Sequence, residues 1–118
     1  MGLRKGSVST TVVVAAGLSF ALGSPVWAAD GKQLYDTNCA SCHGAGGKGD
    51  GPAGQFLNPK AKDFATALKG QGDADITKVI AEGGAAVGKA AIMPAYKGKL
   101  SDEDLTAVVQ YVKSFVPK

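Results

Sequence analysis

The chain has 118 residues, with 13 Lys or Arg against 10 Asp or Glu and a net charge of +3. That length suits one domain, and so small a charge lacks the concentrated field of Lys and Arg that displaces counterions from phosphates. Aromatic and basic residues are not interleaved as single-strand binding requires, so no nucleic-acid partner is expected.

In chain order, the first 28 residues read as an export signal. Arg4 and Lys5 give a positive start, Val12 to Leu22 form an apolar stretch broken only by Gly17 and Ser19, and Val26-Trp27-Ala28 offers small residues at the positions a signal peptidase reads, on either side of Trp27. Cleavage is expected between Ala28 and Ala29. The rival is an uncleaved anchor, but a hydrocarbon core needs about 20 apolar residues and this stretch is about half that. Residues 29–118 are therefore expected in the periplasm, as one domain with no stable membrane insertion. Losing Arg4 and Lys5 leaves 11 basic against 10 acidic side chains, a net charge of +1.

The remaining chain holds 13 glycines and few large apolar side chains, which is little to set against the entropy of ordering it. Two cysteines permit at most one disulfide, so a large apolar cofactor is the better supplement to its core.

Four short helices are expected, with weak strand signals throughout, which makes the fold all-α. The first covers about Gly31 to Cys42, with Gly31, Leu34 and Tyr35 on one face. A loop from Gly44 to Pro59 follows, too rich in glycine for regular structure, and a helical turn covers Asp63 to Lys69. Asp75 to Glu82 presents Ile76, Val79 and Ile80 on one side and stops at Gly83-Gly84. A second irregular loop, Ala85 to Leu100, contains Met93-Pro94. The last helix starts at a Ser101 cap, with Asp102, Glu103 and Asp104 in its first turn, and carries Leu105, Val108, Val109, Val112, Phe115 and Val116 as one stripe.

Both cysteines and the only histidine fall in one window, Cys39-Ala-Ser-Cys42-His43, the C-x-x-C-H order of covalent haem attachment. Cysteines three apart on a helical turn share a face, so their sulfurs reach the two vinyl groups of one porphyrin edge. The adjacent imidazole can then ligate the iron, provided an acceptor orients its other nitrogen. A redox dithiol usually follows a strand in a βαβ pattern absent here. Zinc needs four ligands where three are present. A disulfide leaves His43 without a role and closes too short a loop to gain much. The expected cofactor is one haem c, bound through Cys39 and Cys42.

With His43 used, a second histidine ligand is unavailable, which leaves methionine, lysine, asparagine, a small molecule or nothing for the other face, and Met93 is the only methionine beyond Met1. It stands 50 residues after His43 in an irregular loop before Pro94. As a second axial ligand it would raise the reduction potential and close the iron on both faces, which suits electron transfer over catalysis. The alternative is that Met93 fills a gap in the core.

Over residues 30–118 the chain resembles the small bacterial class I c-type cytochromes. The resemblance rests on Gly31-Lys32-Gln33-Leu34-Tyr35, the Cys39–His43 box, Gly51-Pro52, Ile92-Met93-Pro94 and the Leu100–Val116 helix. It implies a cytochrome c fold of about four short helices around one haem, with His43 and Met93 as iron ligands. It also implies that the Pro52 carbonyl accepts a hydrogen bond from His43 while the Pro52 ring packs on the proximal face of the haem. The first and last helices are expected to cross, with Gly31 permitting close approach and Tyr35 meeting Tyr111. Asn58-Pro59-Lys60 looks like a subgroup feature without an assigned role.

The expected activity is a monomeric, non-enzymatic, single-electron carrier exchanging with redox partner proteins. Two alternatives stay open: a haem subunit of an oxidoreductase complex acting on a sulfur compound or an alcohol, and an open-faced ligand-binding haem protein. Lys89, Lys97 and Lys99 lie in or beside the Met93 loop, where they would form, with Lys60 and Lys62, a rim attractive to acidic partners or simply a solvated loop.

Overall fold

A computed structural model describes residues 2–3, 6, 9–15, 17 and 30–118; the expected cleavage point between Ala28 and Ala29 lies outside them. From Asp30 onward the chain forms α1 (Gly31–Asn38), α2 (Ala40–His43), α3 (Phe64–Ala67), α4 (Asp73–Glu82) and α5 (Asp102–Lys113), with single 3-10 turns at Gly54–Phe56 and Ala85–Val87. The described residues contain no strand, only an isolated bridge between Lys97 and Leu100. The all-α expectation holds.

The frame is the crossing of α1 and α5. Asp30 caps α1 by accepting from the Lys32 N–H at 3.0 Å, and Ser101 caps α5 by accepting from the Asp104 N–H at 3.0 Å. A Cβ built on Gly31 would lie 2.3 Å from the Ala107 carbonyl oxygen, so only glycine lets the two backbones come this close. Leu105, Val108, Val109 and Val112 are all buried and form the centre of the core with Tyr35, Ile76, Ile80 and Tyr96. The α5 stripe continues past the helix end: Phe115 lies beyond Lys113, yet its ring stands 5.4 Å from that of Tyr35.

One expected helix is two. The chain breaks at Cys39, whose φ of −122° and ψ of −35° leave the helical region. In a continuous helix the Asn38 carbonyl would accept from the Cys42 N–H. Here it accepts from the Tyr96 hydroxyl at 2.7 Å, and the Cys42 N–H turns to the Cys39 carbonyl at 3.2 Å. A distant side chain thus shapes the cysteine box.

α4 packs beside α5, tied by Gln110 donating to Asp73 at 2.9 Å and by an ion pair of Lys113 with Asp73. At its end Gly83 takes a φ of +83°, a left-handed value that suits glycine. The Gly83-Gly84 pair also seats the Met93 loop. The Gly84 N–H donates to the Met93 carbonyl at 3.0 Å, and a Cβ on Gly84 would meet the Ala90 oxygen at 1.9 Å.

Replacing Gly31 with Ala is expected to destabilise the protein by about 1–3 kcal/mol, since the new methyl meets backbone that cannot rotate away. A lower urea midpoint at unchanged slope checks this, and an unshifted midpoint would show that the crossing relaxes freely.

Candidate cofactor site

A cavity of about 650 Å³ opens between the cysteine box, the 57–62 segment, α4 and the Met93 loop. That volume is within the range of organic ligand sites. Cys39, Cys42, His43 and Met93 all line it. Much of the remaining wall is apolar, including Leu57, Leu68, Ile76, Val79 and Ile80. Of the residues expected at the site, these four converge and Pro52 does not.

Each element's local chemistry explains its contribution. The break at Cys39 starts α2 at Ala40, so both cysteines and His43 leave one short turn, with the His43 N–H donating to the Cys39 carbonyl at 2.9 Å. Gly44 ends that turn at a φ of +80°, and its carbonyl accepts from the buried Tyr35 hydroxyl at 2.6 Å. The aromatic frame therefore holds the box from behind. Tyr35 packs 5.2 Å from Tyr111, as the resemblance implied, and 6.5 Å from Phe64. Phe64 in turn stacks on the His43 ring at 4.6 Å and 23°, which fixes the plane of the imidazole.

Burial acts on the titrating groups in one sense, favouring the uncharged form of each. It pushes the Cys39 thiol up to about 11, with the neighbouring Cys42 adding to the shift, and it holds His43 below its ordinary value of 6.5. Both cysteines are free. A redox-active dithiol needs a lowered thiol pKa, so the upward shift at Cys39 argues against that chemistry. No cluster of three His, Cys, Asp or Glu among the described residues is arranged to hold a bare metal ion.

The residues fit a haem. His43 offers a neutral imidazole, its Nδ1 is buried without a hydrogen-bond partner, and a thioether lines the same apolar cavity as two free thiols. The placement of Pro52 differs from the expectation: it is exposed and makes no hydrogen bond with His43. The cause is local. The Gly51 N–H donates to the Cys42 carbonyl at 3.3 Å and the Ala53 N–H to the Ser41 carbonyl at 2.8 Å, which holds this turn against the end of α2 and off the cavity wall.

Sequence reasoning gave no role to Pro59, Phe64 or Tyr96, all of which line the cavity. Asn58-Pro59-Lys60 stood out only as a subgroup feature, and the Asn58-Pro59 peptide bond is cis. Phe64, an apolar residue just after a capping Asp63, carried the signal of a short helix facing inward. Lys60, Lys62 and Lys89 are exposed residues of the cavity wall, whereas Lys97 and Lys99 stand outside it. None of the helices among the described residues is long and apolar enough to cross a membrane.

The family model for cytochrome c matches residues 28–115. A cytochrome c6 of Microcystis aeruginosa is 40% identical over 83 residues, covering 70% of this chain and 90% of the relative. The cbb3-type cytochrome c oxidase subunit FixP of Bradyrhizobium diazoefficiens is 34% identical over 87 residues, but there the match covers 74% of this chain and only 27% of the relative. Among solved structures, the KustC0563 c-type cytochrome superposes with a TM-score of 0.60 at 32% identity, over 75% of this chain and 99% of the other. A family match of that extent, joined to relatives paired over nearly their whole length, leaves one assignment: this chain belongs to the cytochrome c family, as a small class I c-type cytochrome of haem-based electron transfer.

Proposed function

We propose that residues 29–118, freed of their leader, work as a periplasmic, non-enzymatic single-electron carrier with one haem c. Cys39 and Cys42 would hold the haem as thioethers, and His43 and Met93 would ligate its iron, one on each face. The carrying observation is that the only histidine, the only methionine beyond Met1 and both cysteines line one apolar cavity. When bound, the haem supplies an iron that takes up and releases one electron.

The chain's own residues prepare that chemistry. Burial keeps His43 uncharged near neutral pH, with a lone pair free for a metal. The Met93 thioether favours the reduced state, and the apolar wall, by disfavouring added positive charge, acts in the same direction. Tyr96 and Gly84 fix the loop that carries Met93, through hydrogen bonds to Asn38 and from Gly84 to Met93 itself.

A second reading, a haem subunit within an oxidoreductase complex, draws on the similarity to FixP, named as an oxidase subunit. Purification from periplasm separates the two: a free monomer supports the carrier, and a stable enzymatic partner reverses the preference.

The oxidised protein is expected to show the weak far-red band of methionine bound to ferric haem; a high-spin spectrum would instead indicate an open iron. Changing Met93 to Ala should lower the potential by a sizeable part of the roughly 0.8 V over which axial ligands tune haems. The variant should also bind added imidazole or cyanide, and an unaltered spectrum would show that Met93 is not the ligand.

Exposed Lys60, Lys62 and Lys89 on the cavity wall would steer an acidic redox partner to the haem edge. Raising ionic strength from about 0.01 M to about 0.15 M cuts the screening length from about 30 Å to 8 Å. Electron exchange with an acidic partner should then slow by about tenfold, with a weaker response in the variant carrying Lys60→Gln and Lys62→Gln. Equal salt dependence in both proteins would remove these lysines from docking.

A further inference from the structure

Met93 and the cysteine box belong to separate parts of the cavity wall. The Met93 loop hangs on the end of α4. The Tyr96 N–H donates to the Ile80 carbonyl and the Lys97 N–H to the Ala81 carbonyl, both at 3.0 Å, and the Gly84 N–H donates to the Met93 carbonyl at 3.0 Å. Carbonyls in the last turn of a helix lack partners within it, so the chain after Met93 supplies the cap that α4 needs. The box hangs instead on α1 and the aromatic frame, through the Tyr35 hydroxyl and the Gly44 carbonyl.

Among the described residues, one hydrogen bond joins these two parts. The Tyr96 hydroxyl donates to the Asn38 carbonyl at 2.7 Å. Asn38 stands directly before Cys39, and both line the cavity together with Tyr96 and Met93. Tyr96 is buried, which limits the competition of water for the bond. Two axial ligands on opposite faces of one iron require their segments to keep a single spacing. Helix packing sets that spacing coarsely, whereas a short, directional hydrogen bond sets it finely.

We propose that Tyr96 is a positioning residue for Met93: by tying the Met93 loop to the chain entering the cysteine box, its hydroxyl lowers the population in which the thioether is off the iron, and so limits the access of outside ligands to the haem. The inference rests on Met93 being an iron ligand and goes beyond it by naming what keeps the ligand in place. A typical hydrogen bond is equivalent to about fivefold in an equilibrium. A ligand that binds only the open state gains the same factor in apparent affinity when the bond is lost.

The test titrates the ferric haem protein with imidazole, which reaches the iron only where Met93 has left it. Tyr96→Phe removes one oxygen and keeps the ring in the core. It should bind imidazole about fivefold more tightly than the unaltered protein, with the far-red methionine band retained when imidazole is absent. Equal affinity would overturn the proposal. In Met93→Ala the iron is already open, so adding Tyr96→Phe should leave the affinity of that variant unchanged; a like gain there would show that the oxygen acts on the pocket and not on Met93. Ser101→Ala removes the α5 cap, outside the cavity. It should lower the urea midpoint without changing imidazole affinity, and a matching gain would reduce the effect to general loosening and sink the proposal. In the reduced, diamagnetic protein the Tyr96 hydroxyl proton should exchange slowly and show a nuclear Overhauser contact to the α proton of Cys39. Without these the bond is absent and the proposal fails, whether or not Tyr96→Phe folds. A far-red band missing from the unaltered protein would remove the ligand assignment itself, a failure distinct from that of Tyr96.

Discussion

Between Gly31 and Ala107 there is no room for a side chain, and that closeness determines where the rest of the chain stands. It brings Tyr35, one turn along α1, into the aromatic group of Tyr111 and Phe115, where it is fully buried. A buried phenol must find an acceptor, and the one it finds is the Gly44 carbonyl directly after His43. Helix crossing, aromatic packing and the position of the cysteine box are thus one chain of causes. A side chain at residue 31 would move its first link.

The parts of the structure readable in the sequence are those whose causes lie close together in it. The α5 stripe follows from its own periodicity, and the C-x-x-C-H box from the reach of two sulfurs and one ring. Met93 stood out as the only methionine beyond the first residue, and it does line the cavity. The illegible parts depend on residues far away. Nothing near Cys39 announces a broken helix; the cause is the hydroxyl of Tyr96, 58 residues on from Asn38. The resemblance places Pro52 on the proximal wall and gives Pro59 no role; both are exposed, and of the two only Pro59 borders the cavity.

The cavity also has a consistent electrostatic character. The same desolvation moves a thiol and an imidazole in opposite directions on the pH scale, and in both cases the uncharged form is the one favoured. No charged residue among those described is buried, and the buried Tyr35 hydroxyl has its acceptor in Gly44. Positive charge is confined to the exposed Lys60, Lys62 and Lys89 at the margin. The wall is neutral and the margin is charged, a division that suits a redox centre meant to hold its potential while its outer edge meets partners.

The hydrogen bond from Tyr96 to Asn38 makes the intervening chain a ring that encircles the cavity. Closing a loop of that length costs about 4 kcal/mol from its length dependence alone, whereas one hydrogen bond contributes about 1 kcal/mol. The bond cannot hold the ring shut unaided. The packing of α1 and of α4 on α5 holds the ends together, and the tyrosine acts as a latch on that frame. The Met93 side of the cavity thus meets the cysteine box through a bond that follows the helix packing and does not create it.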